Sequence, residues 1–358
     1  MKDNSTQILA IDCSFIPKSG KSTYGLDYFF NSCVGKAKKG LEISVISVVD
    51  VEKHQAYTLS VQQTPPQDSD SAVPESEKKQ ISQKKRRSSK KKSRNRRKNK
   101  LDDLETTRID LYLTHLKNTK ELVDKHIKYL VGDGYYSKEK FINGVLELDL
   151  HFIGKLRIDA NLRYLYTGPQ KSRGARRRYD EKVELENIER LTLVSEITPN
   201  VFLYTAVVNH VTLKQNIRIV YILDCSNPQK HSEALLFSTN TELDALSIYS
   251  YYKARFQIEF IFRDAKQFTG LCDCQARSIE KLDFHFNASL SALNIAKYEE
   301  HRLHNNDEPF VFSMATHKRQ AFTHYLLETF IFKLDLEPTL IKTHPNYPEL
   351  LSMGSIVA

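Results

Sequence analysis

The chain has 358 residues, 40% of them hydrophobic, and a formal net charge of +9. That length gives room for two or three domains with real cores, no stretch approaches the roughly 20 apolar residues that span a bilayer, and the polar N-terminus is not a secretory leader. Five cysteines in no framework spacing suit a reducing, cytoplasmic compartment, and the excess of positive charge points to an anionic partner.

The first predicted strand covers residues 7–15, where the apolar run 8–11 leads straight into Asp12. Residues 41–51, rich in Val and Ile, and residues 56–61 follow as a second and third strand of a meander. Residues 64–100 then lose all periodicity and form a low-complexity loop. Between 78 and 100 this loop holds fourteen Lys and Arg and no acid, so the chain outside it is mildly acidic. Lys84, Lys85, Arg86 and Arg87 at its centre are candidates for nonspecific contacts with nucleic-acid phosphates.

Residues 104–127 have a helical pattern, 129–132 form a short strand running into Asp133, 138–148 are helical and 151–154 are strand-like. Short β-rich runs at 191–197, 201–208 and 217–223 make residues 156–240 a β-rich insertion. Helical periodicity returns from 243 onward. The expected class is α/β, with four parts: a core from 1–155, the insertion 156–240, a helical second part of the core at 241–310 and a helical tail at 311–358.

Tyr252, Arg255, Glu259 and Lys266 are offset by 0, 3, 7 and 14 residues. At about 100° per residue they fall within about 60° of one another on one helix, while Ile258, Ile261 and Ala265 lie round the other side and can bury. Such a stripe also fits a solvated helix face with internal ion pairs. Asp12 in the C-terminal half of one apolar strand and Asp133 at the end of another could join Glu259 above a sheet edge as hard-oxygen ligands for two divalent ions, the arrangement that clamps an in-line displacement at phosphorus. Asp133-Gly134 is equally a turn dipeptide, and Asp12 could cap a strand end. The run Ser19-Gly20-Lys21-Ser22-Thr23 is like the end of a phosphate-binding loop, but Phe15 stands where that loop needs glycine, and Pro17 interrupts it.

The spacing Tyr252-Arg255-Glu259-Lys266 resembles the Y-x2-R-x3-E-x6-K signature of the insertion-sequence-four family of bacterial DDE transposases. ILAIDCSFIPKSGKSTYGLD around Asp12 resembles its first-acid block, YLVGDGYYSKEKFINGVLELDLHFIGKLRID its second, and GLCDCQARSIEKLDFHFNASLSALNIAK the helix after the third. The resemblance covers about residues 7–300. It implies a ribonuclease-H-like mixed sheet flanked by helices, with a β-insertion between the second and third acids. Asp12, Asp133 and Glu259 would hold two Mg2+ (or Mn2+) ions, and Tyr252, Arg255 and Lys266 would contact DNA. The implied partners are double-stranded DNA, as transposon ends and target, and a second copy of the chain, at the bacterial nucleoid rather than a membrane. Two departures stand out. Some relatives hold a flipped base on a tryptophan in the insertion, and this chain has no Trp, so if it flips a base a Tyr or Phe such as Tyr204 must serve, or the step is done differently. Relatives also carry an N-terminal DNA-binding region where only eleven residues precede Asp12, which suggests a truncated product or the second part of a split reading frame. The alternative is then a catalytically silent remnant that only binds DNA.

Overall fold

The computed structural model of the chain describes residues 5–31, 34–65, 107–227, 229–303 and 312–353. They form two compact units, one of Met1–Ile258 with Arg277–Ile279, the other of Glu259–Ala276 with Glu280–Ala358. The basic residues Lys84, Lys85, Arg86 and Arg87 lie outside the described residues.

The first unit is built on one mixed sheet. Its first strands are β1 (Gln7–Pro17), β2 (Asp27–Asn31), β3 (Lys36–Asp50) and β4 (Gln55–Thr64). In β1 the side chains alternate: Leu9 and Ile11 point to one face, Ile8 and Ala10 to the other, and all four are fully buried. The sheet is therefore covered on both sides here. β3 runs antiparallel to β1, setting Asp12 opposite Val45, and β4 pairs with β3. The expected three-strand meander gains β2, which pairs with the start of β3. β2 is short and buries Phe29 alone, so its sequence carries little two-residue periodicity.

α1 (Arg108–Thr119) begins at a capping box, in which Thr107 Oγ1 accepts from the Asp110 amide and the Asp110 carboxylate accepts from the Thr107 amide. β5 (Tyr129–Val131) then runs parallel to β1, α2 (Glu139–Leu146) returns, and β6 (His151–Leu156) lies parallel to β5. The order β4-β3-β1-β5-β6, three antiparallel strands followed by two parallel ones, is ribonuclease-H-like. α1 and α2 cover one face, where Ile109, Leu113 and Leu116 of α1 and Phe141, Ile142 and Val145 of α2 share a core with Leu9, Ile11, Leu130 and Phe152 of the sheet.

The β-rich stretch makes no separate sheet. β7 (Leu162–Leu165), β8 (Tyr179–Lys182), β9 (Thr192–Thr198), β10 (Val201–His210), β11 (Gln215–Asp224) and β12 (Ser232–Ser238) extend the same one, in the order β6-β12-β11-β10-β7-β8 with β9 on β10. α3 (Ala245–Ala254) packs on β6, β11 and β12 and buries Ile248. It lies on the face opposite α1: its Tyr251 ring meets Tyr129, whose neighbour Leu130 points into the α1 side.

The second unit is helical. The unit boundary falls within α4 (Gln257–Phe268), and α5 (Ile279–Leu303), α6 (Met314–Lys333), α7 (Pro338–Lys342) and α8 (Tyr347–Ser352) follow. Ile258, Ile261 and Ala265 of α4 are fully buried, as their helical phase requires. α4 stops at Gly270, whose φ of 75° a side chain would resist; the Leu271 amide reaches back to the Ala265 carbonyl at 3.1 Å, closing the last turn. No helix among the described residues is long and apolar enough to cross a membrane.

Candidate active site

Asp12 lies inside β1 rather than at its end, which removes the strand-cap reading. Asp133 comes two residues after β5. The parallel register pairs Leu9 with Leu130 and Ala10 with Val131, so carrying it two residues further brings Asp12 level with Asp133. Adjacent strands lie about 4.8 Å apart. Cys13 turns towards α1, its Sγ 3.1 Å from Tyr136 Oη, so alternation sends Asp12 to the α3 face.

Asp133 caps the 3-10 turn Gly134–Tyr136, its Oδ1 accepting from the Tyr135 amide at 2.8 Å. The turn reading of Asp133-Gly134 therefore holds, and it engages only one carboxylate oxygen. Oδ2 has no hydrogen-bond partner among the described residues. Gly132 keeps the exit from β5 tight, because a Cβ there would lie 3.2 Å from both the Phe152 ring and Tyr136 Cβ.

Arg255, the C-terminal cap of α3, donates from Nη1 to Asp12 Oδ2 at 3.2 Å, and the Cys13 amide donates to Asp12 Oδ1 at 2.8 Å. The pair is largely shielded, with side-chain exposures of 14% for Arg255 and 21% for Asp12. The Arg255 guanidinium lies 5.7 Å from the centre of the Tyr252 ring. Burial pushes the Tyr252 phenol above its usual range; Arg255 pulls it back, and Asp133 and Asp12 push it further up. Tyr252 therefore keeps its proton. Asp12, Asp133, Tyr252 and Arg255 thus form one cluster, two hard-oxygen donors beside a guanidinium and a neutral phenol.

The expected single-helix stripe is not formed. α3 ends at Ala254 and α4 begins at Gln257, and between them the backbone bonds tighten to i→i−3. The Phe256 amide donates to the Lys253 carbonyl at 3.1 Å and the Ile258 amide to the Arg255 carbonyl at 3.0 Å. A 3-10 step turns about 120° per residue instead of 100°, so the phase of one straight helix does not carry across it. Glu259 and Lys266 belong to the second unit, in the first and last turns of α4, positions the helix macrodipole favours for an acid and a base. Among the described residues no three His, Cys, Asp or Glu side chains are grouped so as to hold one metal ion. Asp12 and Asp133 nevertheless fit a divalent cation in donor chemistry, and Asp133 Oδ2 is available to one.

Sequence reasoning missed two polar features. The first is Glu42, a buried acid within the apolar β3: Tyr112 Oη donates to its Oε1 at 2.8 Å and Arg108 Nη1 to its Oε2 at 3.3 Å. A lone acid in a Val- and Ile-rich run was the readable signal. The second is the exposed loop between β7 and β8, where Lys171, Arg173, Arg176, Arg177 and Arg178 stand without an acid, overshadowed by the longer run upstream. Tyr204, expected as a stacking platform, packs instead against the core beside Tyr221, with ring centres 6.3 Å apart. A cleft of about 1230 Å³ opens at Gly134 and Ser137 and is lined further out by charges of both signs, Lys155, Arg157 and Lys182 with Asp159, Glu184, Glu186 and Glu233.

A family model described as DDE superfamily endonuclease matches residues 2–200, and one described as Transposase DDE domain matches residues 111–295. Each covers more than half of the chain. No curated protein matches the chain.

Proposed function

The chain belongs to the DDE superfamily of endonucleases and transposases, and from that premise we propose that it cuts and joins duplex DNA in the cut-and-paste movement of an insertion sequence, as a member of the insertion-sequence-four family. The observation that carries this reading is the pair Asp12, in β1, and Asp133, level with it just past the end of the parallel β5, clustered with Arg255 and Tyr252. Two like charges so close repel, and a cation between them relieves the repulsion.

Two Mg2+ or Mn2+ ions, bound by Asp12, Asp133 and Glu259, would activate the attacking oxygen and stabilise the leaving one. Glu259 enters by its spacing from Tyr252 and Arg255. The chain's own groups handle the rest. Arg255 holds Asp12 in place and offers a planar fork to a DNA phosphate. Tyr252, which keeps its proton, donates a hydrogen bond to a phosphate oxygen. Lys266 adds a point charge along the same strand, and Lys84, Lys85, Arg86 and Arg87 add sequence-independent affinity for transposon ends and target on the bacterial nucleoid. A homodimer is the working form: Phe322, Leu326 and Phe330, four residues apart on α6, expose an apolar stripe suited to a second copy.

The test is nicking of plasmid DNA with Mg2+ or Mn2+ by Asp12→Ala, Asp133→Ala and Glu259→Ala. Each change removes a hard-oxygen ligand worth several kcal/mol in the transition state, so nicking should fall about 10³-fold or more while the fold is retained. A variant that nicks at the wild-type rate removes that residue from the ligand set. A wild-type chain that binds duplex but nicks with neither ion supports the silent, DNA-binding reading instead.

A further inference from the structure

β7 and β8 form an antiparallel hairpin, and β8 ends the strand order of the sheet. Residues 167–178 between them are all exposed and include five cations and no acid. The loop is nonetheless ordered from within. The Tyr166 amide donates to the Arg178 carbonyl at 3.0 Å, continuing the hairpin. The Gln170 side chain then bridges Arg177 from both sides, its Nε2 donating to the Arg177 carbonyl at 2.8 Å and its Oε1 accepting from the Arg177 amide at 2.9 Å. Tyr166 Oη closes the near side by donating to the Pro169 carbonyl at 2.9 Å.

Arg177 is consumed by this scaffold: it donates to Asp180 at 2.6 Å and to the Tyr179 carbonyl, and covers the Tyr166 ring. Neighbouring cations are also satisfied. Arg190 pairs with Asp180 and lies over Tyr164, and Arg163 lies over Tyr179. Lys171, Arg173, Arg176 and Arg178 differ, having neither an ion pair nor an aromatic partner among the described residues. A loop that gathers four like charges within eight residues, when acids close by satisfy other cations, carries a Coulombic cost that a polyanion removes.

We propose that this loop grips the phosphates of duplex DNA through Lys171, Arg173, Arg176 and Arg178, as a second contact beyond the acid cluster. Position is compatible with it: a cleft of mixed charge that starts at Gly134, the residue after Asp133, reaches Lys182 on β8, the strand that follows the loop. The choice of duplex over single strand follows from the ring inventory. The two aromatics that flank the loop are covered, Tyr166 by Arg177 and Tyr179 by Arg163, so the loop offers charge without a free stacking platform for unpaired bases. The inference rests on the reading that the chain acts on DNA, and adds where the DNA flank is held.

The experiment compares the full chain with its Lys171→Ser/Arg173→Ser/Arg176→Ser/Arg178→Ser variant, measuring affinity for a duplex of arbitrary sequence as salt is raised. Each phosphate contact contributes about 0.9 to the slope of log affinity against log salt, so losing four should make the variant shallower by roughly 3.6, with its unfolding midpoint unchanged. Replacing the three arginines by lysine and keeping Lys171 should retain most of the slope, which a purely architectural role would not predict. Equal slopes for wild type and the serine variant overturn this inference alone, with DNA binding itself intact. A wild-type chain without salt-dependent duplex binding overturns both this inference and the DNA reading. A larger loss on single-stranded DNA than on duplex overturns the choice of duplex.

Discussion

Asp12 and Cys13 are consecutive in β1, point to opposite faces of one sheet, and meet different kinds of polar surroundings. On the Cys13 side, polar groups close upon one another beneath α1. Tyr136 meets the thiol, which burial pushes well above its usual range, and Glu42 is engaged on both oxygens by Tyr112 and Arg108. His115 lies between Ser44 at 3.0 Å and Ser60 at 2.9 Å. On the Asp12 side a carboxylate in β1 stands level with one just past the end of β5, one guanidinium serves the first, and the second keeps an oxygen without a partner among the described residues. A polar network kept for stability satisfies its members internally. A cluster kept for chemistry leaves capacity for something that arrives.

The largest effect expected from this contrast lies on the closed side. Burial lowers His115 from 6.5 to about 4, so its neutral form is favoured in the folded chain. The stability this represents is present in full above the unfolded value and is lost as the pH falls towards the folded one. Between about pH 6.5 and pH 4 the loss is roughly 3 kcal/mol. Thermal unfolding followed across that window should show His115→Asn starting less stable but with a flatter pH dependence than wild type. Equal pH slopes would mean that His115 does not titrate on unfolding and that this face is not closed as described.

A somewhat smaller effect sharpens the open side. Arg255→Ala should lower metal-dependent nicking about 10²-fold, or about 2.7 kcal/mol in the barrier. Its ion pair with Asp12 is largely shielded, but the Asp12 carboxylate keeps 21% exposure to water, so folding stability should fall by about 1–2 kcal/mol, below the cost of breaking a fully buried pair. Arg255→Lys should be impaired too, since an ammonium cannot reproduce a planar fork. Nicking rates and unfolding midpoints for the two variants decide the matter. A stability loss matching the loss of activity would make Arg255 a structural partner of Asp12 and erase the contrast between the faces.

What the sequence made legible follows from the range of the signals. Local apolar patterns located β1, β3, β4, β5 and β6, and with them Asp12 within a strand and Asp133 just past one, because each signal lies within a few residues. Pairing is non-local, so nothing in residues 201–238 announced that β10, β11 and β12 would continue the sheet from β6. The stripe through Tyr252, Arg255, Glu259 and Lys266 assumed one unbroken helical phase, and the tightened bonds at Phe256 and Ile258 leave no trace in a periodicity count. The partnership of Arg255 with Asp12 spans most of the chain and was invisible for the same reason. The loop at 167–178 was readable and passed over, because a charge run says nothing of whether its cations are paired until the structure shows Arg177 engaged and its neighbours not.

The central claim is that Asp12 and Asp133 act together on one cation-binding face. Manganese binding, titrated by electron paramagnetic resonance on the wild type, Asp12→Asn and Asp133→Asn, tests it without any need for DNA or turnover. Asparagine keeps the shape and removes the charge. Loss of a partner that only orients a ligand already weakens metal binding about 10- to 100-fold, so each substitution should weaken it at least that much. Unchanged manganese affinity in either variant would contradict the account.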